Sequence, residues 1–430
     1  MHSRRREQLL SAIGSGVAVL PAAPVQIRNN DVEQDYRQDS DFFYLTGFEE
    51  PESVLVLTNT HAEHRCVLFL RPRDPVREVW DGPRVGADDA VERLGVDAAF
   101  PIGELAAKLP DYLSDAGRLH YRLGRNRLFD QTILDAIDEV RRRFRTGVLP
   151  PGEIVDPALA LHEMRLRKTA EELEAMRRAA AITGEAHRRA MDVGRPGVFE
   201  YEVEAEMLRT FRGRGSPRPA YGSIVGSGPN AAVLHYRRND RRMEDGDLVL
   251  IDAACEVDFL ASDVTRTFPV SGRFTEPQRA LYDIVLDAEV TAIETVAPGA
   301  TLDDVHNVAL RRLVEGLVRL GLIEGDVDTA ISEERYKPYY MHRTSHWLGM
   351  DVHDVGNYYV AGKARPLEPG FVLTVEPGLY IAPDAAVDER WRGLGIRIED
   401  DVLVTHDGRD NLTAHVPKDP DELERILAQR

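Results

Sequence analysis

The chain has 430 residues, with 54 basic and 73 acidic side chains and a net charge of −19. This length favours two domains over one, and 43% apolar residues are enough for a real core. The acidic balance argues against a nucleic-acid partner, which wants a basic face, and no apolar run approaches the roughly 18 residues that span a membrane.

The first segment, MHSRRREQLLSAIGSGVAVLPAAP, starts basic, but Ser11, Gly14, Ser15 and Gly16 break its apolar run. It reads as a first helix and strand rather than a signal peptide. VLVLTN and RCVLFLR read as adjacent strands of one sheet. Cys66 and Cys255 make neither a disulfide framework nor a cysteine zinc site. Both read as buried thiols of a reducing compartment, so a cytoplasmic location is expected. The proline-rich VLPPGEIVDP, residues 148–157, reads as a connection near a domain boundary. The expected fold class is α+β: a mixed α/β domain over residues 1–165, then a second domain over 166–430.

A long helix is predicted from Thr169, where Thr169 and Glu172 form a capping box. Leu173, Met176, Ala180 and Ala186 are compatible with its buried stripe. A weak repeat follows. A helix, Gly194-Arg-Pro196-Gly197 and a second helix carrying Val203 have a counterpart in a helix, Ala297-Pro298-Gly299 and Val305. Each half continues into strand-rich sequence. Two α-plus-β halves related by pseudo-symmetry would place a site at their interface, drawing ligands from both.

The segment DGDLVLIDAACEVDFLASDVTRTFPVSG reads as a strand over Leu248–Ile251 and another over Phe259–Val270. A turn centred on Val257-Asp258 would set Asp252 directly opposite Asp263, with Cβ atoms about 4.5–5.5 Å apart. That spacing suits metal ions about 3.5–4 Å apart. Either aspartate could instead cap a turn or face solvent. YMHRTSHWLGMDVHDVG carries His342, His346 and His353; one could ligate metal while others donate protons or hydrogen bonds, unless the segment is a solvated loop. LEPGFVLTVEPGLYI ends an apolar strand on Glu376. In GLGIRIEDDVLVT, Arg397 and Glu399 share one strand face, and Asp400 and Asp401 are expected to be solvated or capping. GSIVGSGPNAAVLHY reads as a glycine-rich loop before His235. It lacks the Gly-Lys-Ser/Thr of a phosphate loop, and its glycines would let backbone approach a ligand.

Asp252, Asp263, His346, Glu376 and Glu399 therefore pose a charge problem. Four carboxylates in one core repel, and buried charge is costly unless paired or metal-bound. Two divalent cations would cancel it, and a dinuclear centre points to hydrolysis.

These segments, with RNNDVEQDYRQDSDFFYLTGFEEPESVLVL near the N-terminus, together resemble the proline-specific pita-bread metallopeptidases. Within them the chain is most similar to the bacterial Xaa-Pro aminopeptidase (aminopeptidase P) family, over nearly its whole length. The resemblance implies an aminopeptidase P-type N-terminal domain and a pita-bread catalytic domain. It implies that Asp252, Asp263, His346, Glu376 and Glu399 bind two divalent metals, with Asp263 and Glu399 bridging. Mn2+ is implied, and Zn2+ or Co2+ could take the same ligands. Glu376, His353 and His235 are then catalytic, and His235, His342, His353, Tyr221, Tyr380 and Arg397 bind substrate. The implied substrates are peptides with proline second, cleaved before that proline by a metal-bridging hydroxide. A homo-oligomer is implied, in which Trp80 of EVWDGPR could approach a neighbour's active site. The chain departs from its relatives at Arg343, often Gly, and in a slightly longer NYYVAGKARP; Arg365, or less so Lys363, would stand in for a basic residue there. A dipeptide-only prolidase and a non-catalytic peptide-binding module are the alternatives.

Overall fold

The computed structural model describes residues 1–430, which divide into two compact units, Met1–Met164 and Arg165–Arg430. In the first unit the opening segment forms helix α1 (His2–Ile13) and strand β1 (Gly16–Pro21), as the broken apolar run predicts. VLVLT and CVLFL become β2 (Val54–Thr58) and β3 (Cys66–Leu70), an antiparallel pair. With β4 (Ala98–Pro101), β5 (Arg118–His120) and β6 (Glu153–Val155) they make one six-stranded sheet of order β4-β3-β2-β1-β5-β6. The proline-rich segment is thus no simple connection: its residues 153–155 pair in parallel with β5 at the sheet edge. The prolines stand just before that edge strand, where no ladder donor is lost. Helices α3 (Leu105–Leu113) and α4 (Arg127–Arg142) bury Leu109, Leu113, Ile133 and Ile137 against β1, β2 and β3. The short α2 (Pro75–Asp81), between β3 and β4 in the chain, buries none of its residues.

In the second unit α5 (Ala170–Val193) starts on the Thr169–Glu172 capping box. Met176, Ala180 and Ala186 are buried, and Leu173 only partly. α5 packs on α6 (Glu200–Gly213), and α7 (Glu276–Thr295) packs on α8 (Leu302–Arg319). The weak repeat is visible here. Gly197 and Gly299 stand three residues before α6 and α8, with φ of 93° and 91°. That is a left-handed conformation favouring glycine. Val203 and Val305 are both fully buried on the following helix.

Each helix pair leads into a three-stranded antiparallel sheet. The first has β7 (Ile224–Ser227), β8 (Leu248–Asp252) and β11 (Thr265–Pro269), with β8 central. A hairpin of β9 (Cys255–Val257) and β10 (Leu260–Ala261) continues β8 and β11. The exposed β12 (Tyr359–Val360) and β13 (Lys363–Ala364) pair within NYYVAGKARP. The second three-stranded sheet has β14 (Val372–Val375), β17 (Asp400–Val404) and β18 (Arg409–Asn411), with β17 central. β15 (Gly378–Tyr380) and β16 (Gly395–Arg397) form a separate pair. GSIVGSG is mostly strand β7, not a loop. Gly226 is needed because a Cβ there would lie 2.8 Å from the Asn230 carbonyl oxygen of the chain's own following turn.

Candidate metal centre

Two strands from different sheets carry the site. The hairpin turn is Asp258-Phe259, both at positive φ (50° and 66°), so Val257 pairs with Leu260. The register therefore sits two residues from the expected one, and Asp252 lies opposite Thr265. A two-residue slip preserves the face, so Asp263 is Asp252's diagonal neighbour rather than its direct partner.

No backbone ladder joins β11 to β17. Side chains and one backbone hydrogen bond do. Asp401 accepts from Ser262 Oγ at 2.7 Å and from the Asp263 backbone N–H at 3.1 and 3.2 Å. Thr265 Oγ1 donates to Glu399 Oε2 at 2.6 Å, and the Glu399 N–H donates to the Thr265 carbonyl at 3.1 Å. Arg266, fully buried, donates to the Glu399 carbonyl at 2.6 Å and to Asp400 Oδ1 at 2.6 Å. Burial would raise Asp400, but Arg266 and Lys418 hold it well below the carboxylate range. The expectation that Asp400 and Asp401 are solvated or capping is therefore corrected: both are buried, and both tie together strands that carry metal-site candidates.

Ligand atoms of Asp263, His346 and Glu399 all lie within 4.8 Å of one another. His346 Nε2 is 3.4 Å from Asp263 Oδ2 and 3.3 Å from Glu376 Oε1. His346 Nδ1 lies 3.0 Å from the Trp347 carbonyl; since a carbonyl only accepts, Nδ1 carries a proton, and Nε2 is the nitrogen that faces the carboxylates, protonated in the metal-free chain and free to offer its lone pair to a cation. Asp252 stands outside that tight group, with Oδ1 held by Tyr221 OH at 2.6 Å and Oδ2 by Arg397 Nη2 at 2.7 Å. Glu376 follows β14, and Thr374 Oγ1 donates to its Oε1 at 3.2 Å.

The substrate-side candidates surround this cluster. Arg397 Nη1 donates to Tyr380 OH at 3.0 Å, and His342 Nε2 lies 2.9 Å from the same hydroxyl. Burial, then the Arg397 charge, lowers His342 to about 4, so this imidazole is neutral near pH 7. The His353 ring stands edge-on to His346, with centroids 4.5 Å apart. His235 is exposed and close enough to act electrostatically on His342 and His353. Sequence reasoning passed over Glu200, which is fully buried. It accepts from the Ser227 N–H and hydroxyl at 2.7 Å, Tyr236 OH at 2.8 Å and the Arg241 N–H at 2.9 Å, fixing the turn that carries His235. Its only sequence signal is a carboxylate opening α6 on the buried side.

The donor set fits divalent cations. Burial, with mutual repulsion, raises Asp252, Glu399 and Asp401, and takes Glu376 to about 7. Burial opposes charging of His346, yet Asp263 and Glu376 still raise it to about 9. The pocket thus wants positive charge, whether protons or cations. The folded chain holds more protons than the unfolded chain, so metal-free stability falls as pH rises. For Glu376 the window runs from its ordinary 4.5 to about 7, and for His346 from 6.5 to about 9. We expect the melting temperature of metal-free protein to drop between about pH 5 and 8, and divalent metal to remove most of the drop. A flat metal-free profile by scanning fluorimetry would contradict this.

Comparison with known proteins agrees with this geometry. Residues 174–406 match Metallopeptidase family M24, and residues 2–120 match the Aminopeptidase P, N-terminal domain. The chain is 47% identical to the Xaa-Pro aminopeptidase of Escherichia coli, over 99% of this chain and 96% of that protein. It is 36% identical to the mitochondrial intermediate cleaving peptidase 55 of Arabidopsis thaliana, over 98% and 82%. The structure of Pseudomonas aeruginosa aminopeptidase PepP superposes with a TM-score of 0.98 at 52% identity, covering 100% of this chain and 97% of that one. Zn-substituted E. coli aminopeptidase P in complex with product gives 0.97 at 46% identity, covering 100% and 98%. The chain belongs to metallopeptidase family M24, and its second unit has the pita-bread fold. Within that family its full-length likeness is to the aminopeptidase P proteins.

Proposed function

We propose that this chain is an Xaa-Pro aminopeptidase, removing the first residue of peptides whose second residue is proline. The observation that carries the reading is the convergence of Asp263, His346 and Glu399 within 4.8 Å, beside a full-length likeness to Xaa-Pro aminopeptidases. The same reading divides the chain into an N-terminal domain, 1–165, and a catalytic domain, 166–430.

Asp252, Asp263, His346, Glu376 and Glu399 would hold two divalent cations. Manganese is our assignment, since an oxygen-rich donor set suits it better than thiolate-preferring metals. Such ions, when bound, polarise a carbonyl and lower the pKa of water. The protein's own groups do the rest. Glu376 Oε1 takes the proton from the attacking water and hands it to the departing proline nitrogen. His353 donates to the substrate carbonyl oxygen as charge develops there. Arg397 and Tyr221 keep Asp252 oriented. Tyr380, held between Arg397 and His342, lines the proline pocket, and His235 closes the mouth. Proline offers no N–H at the scissile bond, so recognition falls to this shaped pocket rather than to a backbone donor.

Cys66 and Cys255, both buried free thiols, favour a cytoplasmic location, and no helix is long and apolar enough to cross a membrane. A homo-oligomer is favoured by α2, where Val76, Val79 and Trp80 are 74%, 83% and 82% exposed. Xaa-Pro peptides of two to about five residues test the substrate class: we expect cleavage at every length, with only the first residue released. Cleavage of dipeptides alone would make the protein a prolidase.

A further inference from the structure

The loop from His346 to His353 carries one candidate ligand and one candidate oxyanion donor, and its fixing point is neither. Asp354, next to His353, is fully buried between two cations. Arg165 Nη2 reaches Asp354 Oδ1 at 2.6 Å, and Lys168 Nζ reaches Asp354 Oδ2 at 2.9 Å. The side chains of Arg165 and Lys168 are only 2% and 1% exposed. Arg165 also holds Asp351 Oδ2 at 2.7 Å, and Lys168 Nζ donates to the Arg165 carbonyl at 2.9 Å. The loop backbone closes over this clamp. The Asp354 N–H donates to the Trp347 carbonyl at 2.8 Å, and the Gly349 carbonyl accepts from the Ala261 N–H at 2.8 Å. Gly349 must lack a side chain: a Cβ there would lie 2.0 Å from Asp354 Oδ2 and 2.8 Å from Lys168 Cε.

Three buried charges are a costly way to fix a loop, since a well-packed apolar replacement is often as stable. What the ion pairs add is a fixed position. Two hydrogen-bonded cations hold both carboxylate oxygens, and Asp354 is one residue from the imidazole that stands edge-on to His346. We propose that Asp354, clamped by Arg165 and Lys168, is a positioning residue that sets the His353 imidazole where the scissile carbonyl oxygen will sit. This rests on the Xaa-Pro aminopeptidase reading and on His353's role in it.

The test uses full-length, manganese-loaded protein and a double-mutant cycle. Lys168→Met with Asp354→Asn removes one buried charge of each sign and leaves the Arg165–Asp351 pair. We expect kcat on a proline-second tripeptide to fall about tenfold to a hundredfold, a misplacement near 1 Å being enough for the larger loss. KM and metal content should stay unchanged. In a His353→Ala background the same pair of changes should cost less than about twofold, because sites that act as one unit are not additive. An equal loss in both backgrounds, or an unchanged kcat, overturns the proposal. Should that variant fail to fold, Asp354→Glu keeps every charge while displacing the loop by a methylene, and the same cycle decides. A wild-type protein inactive on proline-second peptides would sink the functional reading itself, a result distinct from any of these.

Discussion

Glu376→Gln lowers kcat on proline-second peptides by about 10²–10⁴-fold, the usual contribution of a positioned acid–base group, while the fold and most of the metal affinity survive. Glu376 ends an apolar strand with its Oε1 3.3 Å from His346 Nε2, held by Thr374 and by its own N–H, which donates to the Thr344 carbonyl at 2.8 Å. Burial pushes the metal-free carboxyl up to about 7, and bound cations would hold it as a carboxylate, the form that can take a proton from water. The amide keeps the volume and one oxygen for a cation but cannot carry that proton. Steady-state kinetics with metal analysis on the same samples checks this. A variant with wild-type kcat would remove Glu376 from the proton path.

Asp263→Asn carries the second large effect, and its two readouts have opposite signs. Asp263 is a leading source of the charge that raises Glu399, Asp252 and Glu376. Neutralising it relieves the repulsion in the metal-free chain, so metal-free Asp263→Asn should melt higher than metal-free wild type at alkaline pH. The loaded protein should show the reverse: lower metal content, weaker stabilisation by manganese, and activity down by at least about 10²-fold, the loss that ligand-supporting partners alone can produce. Calorimetric titration with manganese and melting curves with and without metal separate the two. If the substitution destabilised the chain equally in both states, Asp263 would be a structural carboxylate.

Much of the site was legible because its signals are local. The Thr169–Glu172 box, the paired strands around Val54–Thr58 and Cys66–Leu70, and Glu376 at the end of an apolar run each need only neighbours within a few residues. The hairpin register was not legible. Phe259 sits at φ 66°, a position that favours glycine or asparagine, so nothing in its side chain marks a turn. Reading the turn one residue early moved the pairing by two and left the face correct, which is why Asp252 and Asp263 still read as neighbours. Asp400 and Asp401 were misread for another reason. Two acids in a row look solvated, and what buries them is Arg266, 134 residues away from Asp400, and Ser262, 139 residues away from Asp401. Long-range charge pairing has no short-range pattern. The clamp on Asp354 is of the same kind: Arg165 lies 189 residues before its partner.

The fold explains why the site is split along the chain. Each half supplies a helix pair and a three-stranded sheet, and the polar side chains between β11 and β17 bring Asp263 beside Glu399. Neither strand could hold its carboxylate buried without the other's partners and compensating positive charge, from protons or from cations.

The most direct measurement is mass spectrometry of a tripeptide with proline second, incubated with metal-depleted protein before and after manganese is restored. No product is expected from the depleted protein, then release of the free first residue and the intact proline dipeptide once metal is present. Cleavage by the depleted protein, cleavage after the proline, or no cleavage at full metal loading would contradict it.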